Sequence, residues 1–309
     1  MTQTFVHVEH LTEVPTSKPT YLALGSFDGV HVGHQAVLQQ LVKASRAAGV
    51  RSAVLTFFPH PTRVLRGQEG PYYITTLEDR VRLLAAQGVD LIITHPFNEE
   101  VRLTRAADFV AQLLRYLDMR QIWGGDFAFG YKREGDVPFL RHLGAERGFT
   151  VELVESMVAA QGDWVSSSRI RQCLTAGNVE DVAICLARPF HVTGEVVYGD
   201  QRGRTIGFPT ANLAVWEELL LPANGVYATY AWLGEERYIA ATNVGVRPTV
   251  NGRSVTVEAH LLDFEGDLYG QQLRVEFMRH IRPEKKFSGL PELTAQIQAD
   301  VSEIRGLLA

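Results

Sequence analysis

The sequence predicts an α/β half built on a mostly parallel sheet, followed by a smaller half that forms an antiparallel β-barrel. In the first half, short apolar segments alternate with segments of helical periodicity. After Arg188-Pro189 the pattern changes to short strands separated by Gly, Asn and Pro, with few helices. We place the boundary near residue 187, which gives domains 1–186 and 187–309.

The elements of the first half follow one another as strand, helix, strand. Short apolar runs predict strands at 21–25, 52–58, 90–97, 120–125 and 150–156. Amphipathic periodicity predicts helices at 34–49, 75–88, 106–117 and 139–148, with Thr75 and Glu78 as a capping box for the second. Ligands of such sheets bind beyond the carboxyl ends of the strands.

The first half ends with two short helices, and the second half ends with a long one. The helices are predicted at 166–177 and 178–187, where Asn178 caps the second. Strands are predicted at 190–199, 225–233, 237–246, 254–264 and 271–281. The final stretch, 290–308, is an amphipathic helix whose apolar positions 293, 297, 301, 304 and 308 form one stripe.

Composition and charge narrow the class of protein. The chain has 309 residues, 46% of them hydrophobic, with a formal net charge of −5 and a pI of about 6.1, which argues against a dedicated nucleic-acid binder. Its two cysteines, Cys173 and Cys185, form no zinc or redox motif. We see no signal peptide and no apolar stretch of bilayer length, so we expect a cytoplasmic protein without a membrane partner.

The stretch GSFDGVHVGH (25–34) follows the first predicted strand of the first half and leads into a helix. Gly25 and Gly29 permit tight turns, the helix N-terminus favours an anion, and His31 and His34 can donate hydrogen bonds to phosphate oxygens. We rank a phosphate cradle first and an ordinary turn second. A zinc site ranks a distant third, because nothing in the spacing supports His60 or His95 as a further ligand.

Two more motifs follow predicted strands at the same edge of the sheet. In TFFPHP (56–61), prolines fix a rigid loop around His60, and a stiff strand exit is an equally good interpretation. In GGDFAFG (124–130), glycines before Asp126 allow a sharp turn, and Phe127 and Phe129 either stack on a planar ligand or join the core. Asp126, between glycine and an aromatic residue, favours a functional role.

SSSRIR (166–171) opens a predicted helix late in the first half. Serine hydroxyls, helix N–H groups, and Arg169 or Arg171 together make an anion site. The alternative is an ordinary helix cap with a solvated basic face. Four such motifs at one edge of one sheet are stronger evidence than any one of them.

The second half contains two motifs that suggest phosphate chemistry. GRTIGFPTANL (203–213) is rich in glycine, and Thr210 and Asn212 point to the same side of an extended segment as hard oxygen donors suited to Mg²⁺. In SVTVEAHLLDF (254–264), Glu258 is a candidate general base. Taken alone, a polar turn and a solvated strand carboxylate explain these residues as well.

GSFDGVHVGH, FPHP, GGDFAFG and SSSRIR, in this order, resemble the FAD synthetase domain of prokaryotic bifunctional riboflavin kinase/FMN adenylyltransferases. That domain belongs to the HxGH nucleotidyltransferase superfamily, so the resemblance implies a Rossmann-like fold. It implies that His31 and His34 are catalytic and contact the ATP phosphates, and that His60, Asp126 and Phe129 belong to the flavin and nucleotide pocket. The other residues it assigns to ATP and phosphate binding are Gly25, Phe27, Asp28, Gly29, Gly33, Ser167, Arg169 and Arg171.

The second half is similar to the flavokinase domain, a six-stranded barrel with a terminal helix. The similarity lies in GRTIGFPTANL, GVYA (225–228), TNVGVRPT (242–249), VEAHLLDF (257–264), DLYG (267–270) and IRPEKKF (281–287). It implies that Thr210 and Asn212 hold Mg²⁺ with ATP and that Glu258 deprotonates the ribityl hydroxyl. The remaining residues it assigns to ATP and flavin binding are Gly203, Gly207, Pro209, Asn243 and Arg282.

Together the two resemblances imply an enzyme that makes FMN from riboflavin and ATP, and then FAD from FMN and ATP. The expected partners are these small molecules, with apo-flavoproteins as candidate recipients and no nucleic acid. Two alternatives stay open: a riboflavin kinase whose first domain only binds nucleotide or flavin, and a non-enzymatic flavin carrier. Intact His31, His34, Ser167 and Arg169 argue against the first, and PTAN (209–212) with Glu258 argues against the second.

Overall fold

The structure, a computed structural model, describes residues 5–125, 129–154, 159–160, 162–199, 203, 206–249 and 252–309. By internal packing, the chain forms two compact units. The first comprises the residues up to Glu69 together with Thr75–Val165, and the second comprises Gly70–Ile74 and Ser166–Ala309. The assignment of residues 1–186 and 187–309 to two separate activities stays a prediction.

A six-stranded sheet in which all neighbouring strands are parallel forms the centre of the first unit, in the order β1-β4-β3-β2-β5-β6. Its strands are β1 (Val6–Val8), β2 (Thr20–Leu24), β3 (Arg51–Phe58), β4 (Leu91–Pro96), β5 (Met119–Gly124) and β6 (Thr150–Leu153). Two-residue strands β7 (Ala159–Ala160) and β8 (Asp163–Trp164) pair separately. The predicted parallel sheet is confirmed. The edge strand β1 was not predicted, because it is only three residues long and mostly exposed.

Helices cover both faces of this sheet because alternate strand residues point to opposite sides. Leu22, Leu55 and Ile93 belong to a core cluster on one face, and Ala23, Val54 and Ile92 belong to the cluster on the other. The helices are α1 (Val32–Ala48), α2 (Pro61–Arg66), α3 (Leu77–Ala86), α4 (Glu99–Leu103), α5 (Ala106–Leu117) and α6 (Val137–Arg147).

Two helix starts differ from the sequence expectation. The N-cap of α3 is Thr76, whose hydroxyl accepts from the Asp79 amide at 3.1 Å, so the predicted capping box at Thr75 is wrong by one residue. The segment around His60 is the start of α2 and not simply a rigid loop, since His60 Nδ1 accepts from the Thr62 amide at 3.1 Å. Pro61 occupies the first helical position, where its missing N–H costs nothing.

The second unit contains a closed antiparallel barrel with strand order β10-β13-β12-β11-β14-β9, which confirms the predicted barrel. Its strands are β9 (Phe190–Val197), β10 (Ala211–Ala214), β11 (Gly225–Leu233), β12 (Glu236–Thr249), β13 (Gly252–Leu261) and β14 (Gln272–Arg282). Pairing of β10 with β9 closes the barrel. β10 overlaps the end of the motif that we interpreted as a glycine-rich loop. It was not predicted, because four residues are too few to show a strand pattern.

The helices that the structure describes over their full length in this unit are α7 (Ser167–Ala176), α8 (Val179–Leu186) and α9 (Leu290–Leu308). α8 packs against β9 and β14. The predicted stripe on α9 is confirmed by Ile304 and Leu308, which pack on Val226 and Ala228 of the barrel.

The short segment Gly70–Ile74 also packs within the second unit. Tyr73 is fully buried and stacks on Trp216 with 5.0 Å between ring centroids. Its backbone pairs with Leu219, and its amide donates to the Glu218 carbonyl at 3.0 Å. These contacts fix residues that lie far from the barrel in sequence.

Candidate active sites in the two units

The loop between β2 and α1 has an unusual backbone. Phe27, Gly29 and Val30 have φ angles of 46°, 84° and 41°. A left-handed conformation costs a non-glycine residue roughly 1–2 kcal/mol. The loop also folds back closely, since a Cβ on Gly25 would lie 3.2 Å from the Phe27 ring. Contacts from outside the loop must therefore hold it in place.

The two histidines of this loop form a stacked pair, with ring centroids 3.7 Å apart and planes 18° apart. His31 is the N-cap of α1, and its Nδ1 accepts from the His34 amide at 3.3 Å. Because Nδ1 is the acceptor, a neutral His31 carries its proton on Nε2. Burial, followed by the influence of His31 and Arg80, lowers the pKa of His34 well below its usual range. His34 is therefore neutral at pH 7, and both rings lie at a helix N-terminus that favours anions.

Asp28 holds this loop from within the protein. Its carboxylate is fully buried and accepts from the Thr75 amide at 3.3 Å, the Thr75 hydroxyl at 3.4 Å and Arg80 Nη2 at 3.4 Å. The Thr75 hydroxyl in turn lies 3.3 Å from the Gly29 amide, which donates to it. The structure thus gives Asp28, predicted as a phosphate contact, a role in fixing the loop. Neither Thr75 nor Arg80 was predicted as a site residue.

An apolar cavity of about 420 Å³ opens beside Gly25 and Ser26. Its aromatic lining comprises Phe57, Phe97, Phe109, Phe129 and Tyr131. Phe129 also lies 5.6 Å from Phe109, so it belongs to both the cavity and the core. His60 itself caps α2, whose first residue, Pro61, lines the cavity. Asp126 lies outside the described residues.

His95, at the end of β4, lies behind this aromatic lining. It is 8% exposed, and its ring centroid is 6.1 Å from that of Phe57 and 6.5 Å from that of Phe109. Burial, and then nearby His10, lowers the pKa of His95 to about 4. Among the described residues, no group of three or more His, Cys, Asp or Glu side chains is placed to hold a metal ion.

The SSSRIR motif forms the first turns of α7, in the second unit. The capping hydroxyl is that of Ser166, which accepts from the Arg169 amide at 3.2 Å, and Ser167 is the first helical residue. Arg171 donates from Nε to the Tyr72 carbonyl at 2.9 Å, and its guanidinium lies 4.0 Å from the centre of the Tyr72 ring. The phosphate roles of Ser167, Arg169 and Arg171 stay predictions.

Strand pairing in the barrel gathers the polar residues of the second half into one row. Glu258 on β13 is directly opposite Asn212 on β10 and Asn243 on β12. Next along the row, Asn243 is opposite Val226, which is opposite Arg282 on β14. Side chains of such opposed residues lie on the same face, with Cβ atoms about 4.5–5.5 Å apart. The opposite face of β13 carries the buried Val257 and Ala259, as the alternation predicts.

The loop before β10 brings glycine backbone close to the polar side chains of Asn212 and Thr210. A Cβ on Gly199 would lie 2.4 Å from Asn212 Nδ2, and a Cβ on Gly203 would lie 3.6 Å from Thr210 Oγ1. His260 Nδ1 donates a hydrogen bond to the carbonyl oxygen of Pro209 at 2.7 Å. Gly207 has a φ of 86°, the left-handed conformation that glycine adopts without strain.

A cavity of about 420 Å³ adjoins this loop. Thr210 and Pro209 line one part, and the segment Gly266–Tyr269 lines another. Tyr269 stacks on the exposed Tyr198 with 3.9 Å between ring centroids. The predicted residues Thr210 and Pro209 therefore adjoin a space large enough for a small molecule.

Arg282 is engaged mainly with the terminal helix. Its guanidinium forms a bidentate ion pair with Asp300 of α9, with the Nε and Nη2 donors 2.9 Å and 2.7 Å from Oδ2. Close by in sequence, Glu284 was missed by the sequence analysis. It accepts from Asn224 Nδ2 at 3.2 Å, and its Oε1 lies 2.6 Å from where a Cβ on Gly245 would be. A lone glutamate in a charged run gives no sequence signal for such a position.

Comparison with known proteins assigns the two parts of the chain to two family models. Family models match the chain as FAD synthetase over residues 13–169 and as riboflavin kinase over residues 186–308. The bifunctional riboflavin kinase/FMN adenylyltransferase of Listeria monocytogenes is 35% identical over 308 residues, which cover 99% of this chain and 98% of the relative. This chain belongs to that family. The family predicted from the motifs is therefore confirmed.

Other relatives span the chain to a similar extent. The Escherichia coli K12 member of the family is 37% identical, with 95% of this chain and 94% of the relative covered, and the Bacillus subtilis member is 36% identical, with 96% and 95% covered. The crystal structure of a Streptococcus pneumoniae protein, named as a macrolide-efflux protein, matches with a TM-score of 0.87 and 30% identity. It covers 97% of this chain and 98% of that one. Within the described residues, no helix is long and apolar enough to cross a membrane.

We predict that His95 makes the first unit less stable in acid. Its pKa in the folded protein, about 4, is below the ordinary value of 6.5, so the unfolded state binds the proton first. The free energy of unfolding should therefore fall as the pH drops from 6.5 towards 4. Urea unfolding across this range should show a shallower fall for His95→Leu than for the wild type.

The matched control is His142→Leu, since the His142 side chain is 77% exposed. It should leave the pH dependence unchanged. Parallel curves for the wild type and His95→Leu would show that His95 does not cause the acid sensitivity.

Proposed function

We propose that this chain phosphorylates riboflavin to FMN at the barrel row of the second unit and adenylylates FMN to FAD at the stacked histidines of the first. The observation that carries the proposal is the row in which Glu258 lies between Asn212 and Asn243. A carboxylate flanked by two amides, beside a glycine-rich loop, suits a base that works next to nucleotide phosphates. Family membership supplies the identity of the substrates.

In the kinase step, Glu258 accepts the proton of the riboflavin 5′-hydroxyl. The freed oxygen attacks the γ-phosphorus of ATP, the bond between that phosphorus and the bridging oxygen breaks, and ADP leaves. The neighbouring amides of Asn212 and Asn243 hold the reacting groups in register. Most of the acceleration in such a transfer comes from position and charge stabilisation.

Magnesium fits the donors beside Glu258. Thr210 and Asn212 offer hard oxygen atoms, which Mg²⁺ prefers. Gly199 lies so close to the Asn212 amide that a Cβ there would be 2.6 Å from Asn212 Oδ1, so only glycine lets the backbone approach this donor. Since two protein ligands are few, phosphate oxygens and water complete such a shell. When bound, the ion neutralises charge on the phosphates.

In the adenylyl transfer, a phosphate oxygen of FMN attacks the α-phosphorus of ATP and pyrophosphate leaves. No proton has to be removed from the nucleophile, so the protein acts by placing two anions together and stabilising their charge. His31 presents an Nε2 proton, and the N-terminus of α1 adds a positive dipole. Ser167, Arg169 and Arg171 are proposed to bind the β and γ end of ATP.

The aromatic cavity beside Gly25 is the proposed site of the flavin ring. Its aromatic side chains offer flat apolar surfaces for stacking a tricyclic ring. The predicted pocket residues Phe129 and His60 lie in or next to it, the latter through Pro61. We also propose a cytoplasmic location, with apo-flavoproteins as recipients of the products and without nucleic-acid or membrane partners.

Chromatography of the products tests the function as a whole. Incubation with riboflavin, ATP and Mg²⁺ should yield FMN first and FAD later. FMN without FAD would favour a kinase whose first unit only binds ligands. Neither product would favour a flavin carrier.

Glu258→Gln should lower FMN formation by roughly 10²- to 10⁴-fold, because the amide cannot accept the proton. FAD formation from supplied FMN should persist. The matched control is Glu195→Gln, an exposed glutamate on β9, which should leave both rates unchanged. Loss of both activities in a folded Glu258→Gln protein would contradict two separate sites.

His31→Ala should have the opposite effect, abolishing most FAD formation and sparing FMN formation. Since His31 also caps α1, a second variant separates the two roles. His31→Asn keeps a capping oxygen but has no imidazole, so it should remain as inactive in adenylyl transfer as His31→Ala. Recovery of FAD formation in His31→Asn would show that the cap, and not the imidazole, is what matters.

A further inference from the structure

Arg80 is a fully buried arginine that pairs with the loop leading to the stacked histidines. It lies on α3, and its side chain, like that of Asp28, has no solvent exposure. A buried guanidinium is costly unless a charge is paired with it, and Arg80 Nη2 lies 3.4 Å from Asp28 Oδ1. The stability of α3 alone does not explain why a charge is buried at this position.

The loop that Arg80 holds fixes the position of both histidines. Phe27 and Val30 are left-handed, a conformation that does not persist without support from surrounding structure. The support comes through Asp28, which Arg80 and Thr75 contact from the α3 side. His31 follows this loop directly, and its ring is stacked on His34.

The positive charge of Arg80 also acts on the His34 imidazole. The charged and titratable groups that act on the His34 imidazole are His31, from the loop, and Arg80, from α3, while Asp28 is paired with Arg80. A positive charge at Arg80 disfavours a second positive charge on His34. Together with burial, this lowers the pKa of His34.

We infer that Arg80 is a positioning residue for adenylyl transfer: paired with Asp28, it fixes the loop that carries His31 and keeps a cation next to His34. The inference rests on the proposed transfer of AMP to FMN in the first unit. Arg80 has no solvent exposure, and it acts through Asp28 and the two imidazoles. It keeps a positive charge at the site that is proposed to bind two anions.

The test compares Arg80→Met with Arg80→Lys in the full chain. Arg80→Met keeps most of the volume but loses the charge, and kcat for FAD formation from FMN should fall about 10- to 100-fold, the scale of a small misplacement. FMN formation from riboflavin, measured on the same sample, should stay within about twofold. Arg80→Lys should restore part of the lost rate.

A second measurement separates positioning from simple support of the fold. Without the cation, the pKa of His34 should rise towards its ordinary range, so the acid limb of the FAD-forming rate should move to higher pH. Histidine titration by NMR, with His34 assigned from a His34→Gln spectrum, should show the same shift. The matched control is Arg82→Met, whose parent side chain is 69% exposed on the same helix and should change nothing.

If Arg80→Met does not fold, Thr75→Val replaces it. That change keeps the shape but removes the hydroxyl that links Asp28 and Gly29, so it should lower FAD formation in the same direction. An FAD-forming rate within about twofold of the wild type, with an unmoved pH profile, would overturn the inference. Failure of the wild type itself to make FAD would instead refute the proposed function.

Discussion

The register of the barrel strands is the constraint on which the polar row of the second unit depends. In the barrel, the pairing of Asn212 and Asn243 with Glu258 brings together residues that are up to 46 positions apart in sequence. Because side chains alternate along a strand, a slip of one residue would turn Glu258 inward and expose Val257 and Ala259. Burial of those two residues therefore fixes the register, and the register fixes the polar row.

Buried ion pairs hold segments of both units that strand pairing does not position. In the first unit, Asp28 and Arg80 hold the loop between β2 and α1. In the second, Arg282 and Asp300 fasten α9 to β14, with side chains 19% and 5% exposed. Removing one partner of such a pair leaves an uncompensated charge, which typically costs about 3–5 kcal/mol. Each unit thus uses a buried pair to hold a segment that strand pairing does not reach.

Sequence patterns predicted the regular elements well where those elements are long. The parallel sheet, the barrel and α9 follow from periodicity, and the family follows from motifs such as GSFDGVHVGH and PTAN. Short elements escaped prediction: β1 and β10 have three and four residues, and α2 has six. Three to six residues are too few to show a period, so only the paired or packed structure shows them.

The sequence by itself determined which residue types are available for chemistry and which face each long strand buries. It indicated His31 and His34 through their position between a strand and a helix, and Thr210, Asn212 and Glu258 through the resemblance of several motifs in order. Only the tertiary structure decided that Thr75 holds a loop and does not cap a helix, that Asp28 is buried against Arg80, and that Arg282 is paired with Asp300. The physical reason is that a charge or hydroxyl takes its role from the partner it meets in space, and those partners lie 18 to 52 residues away.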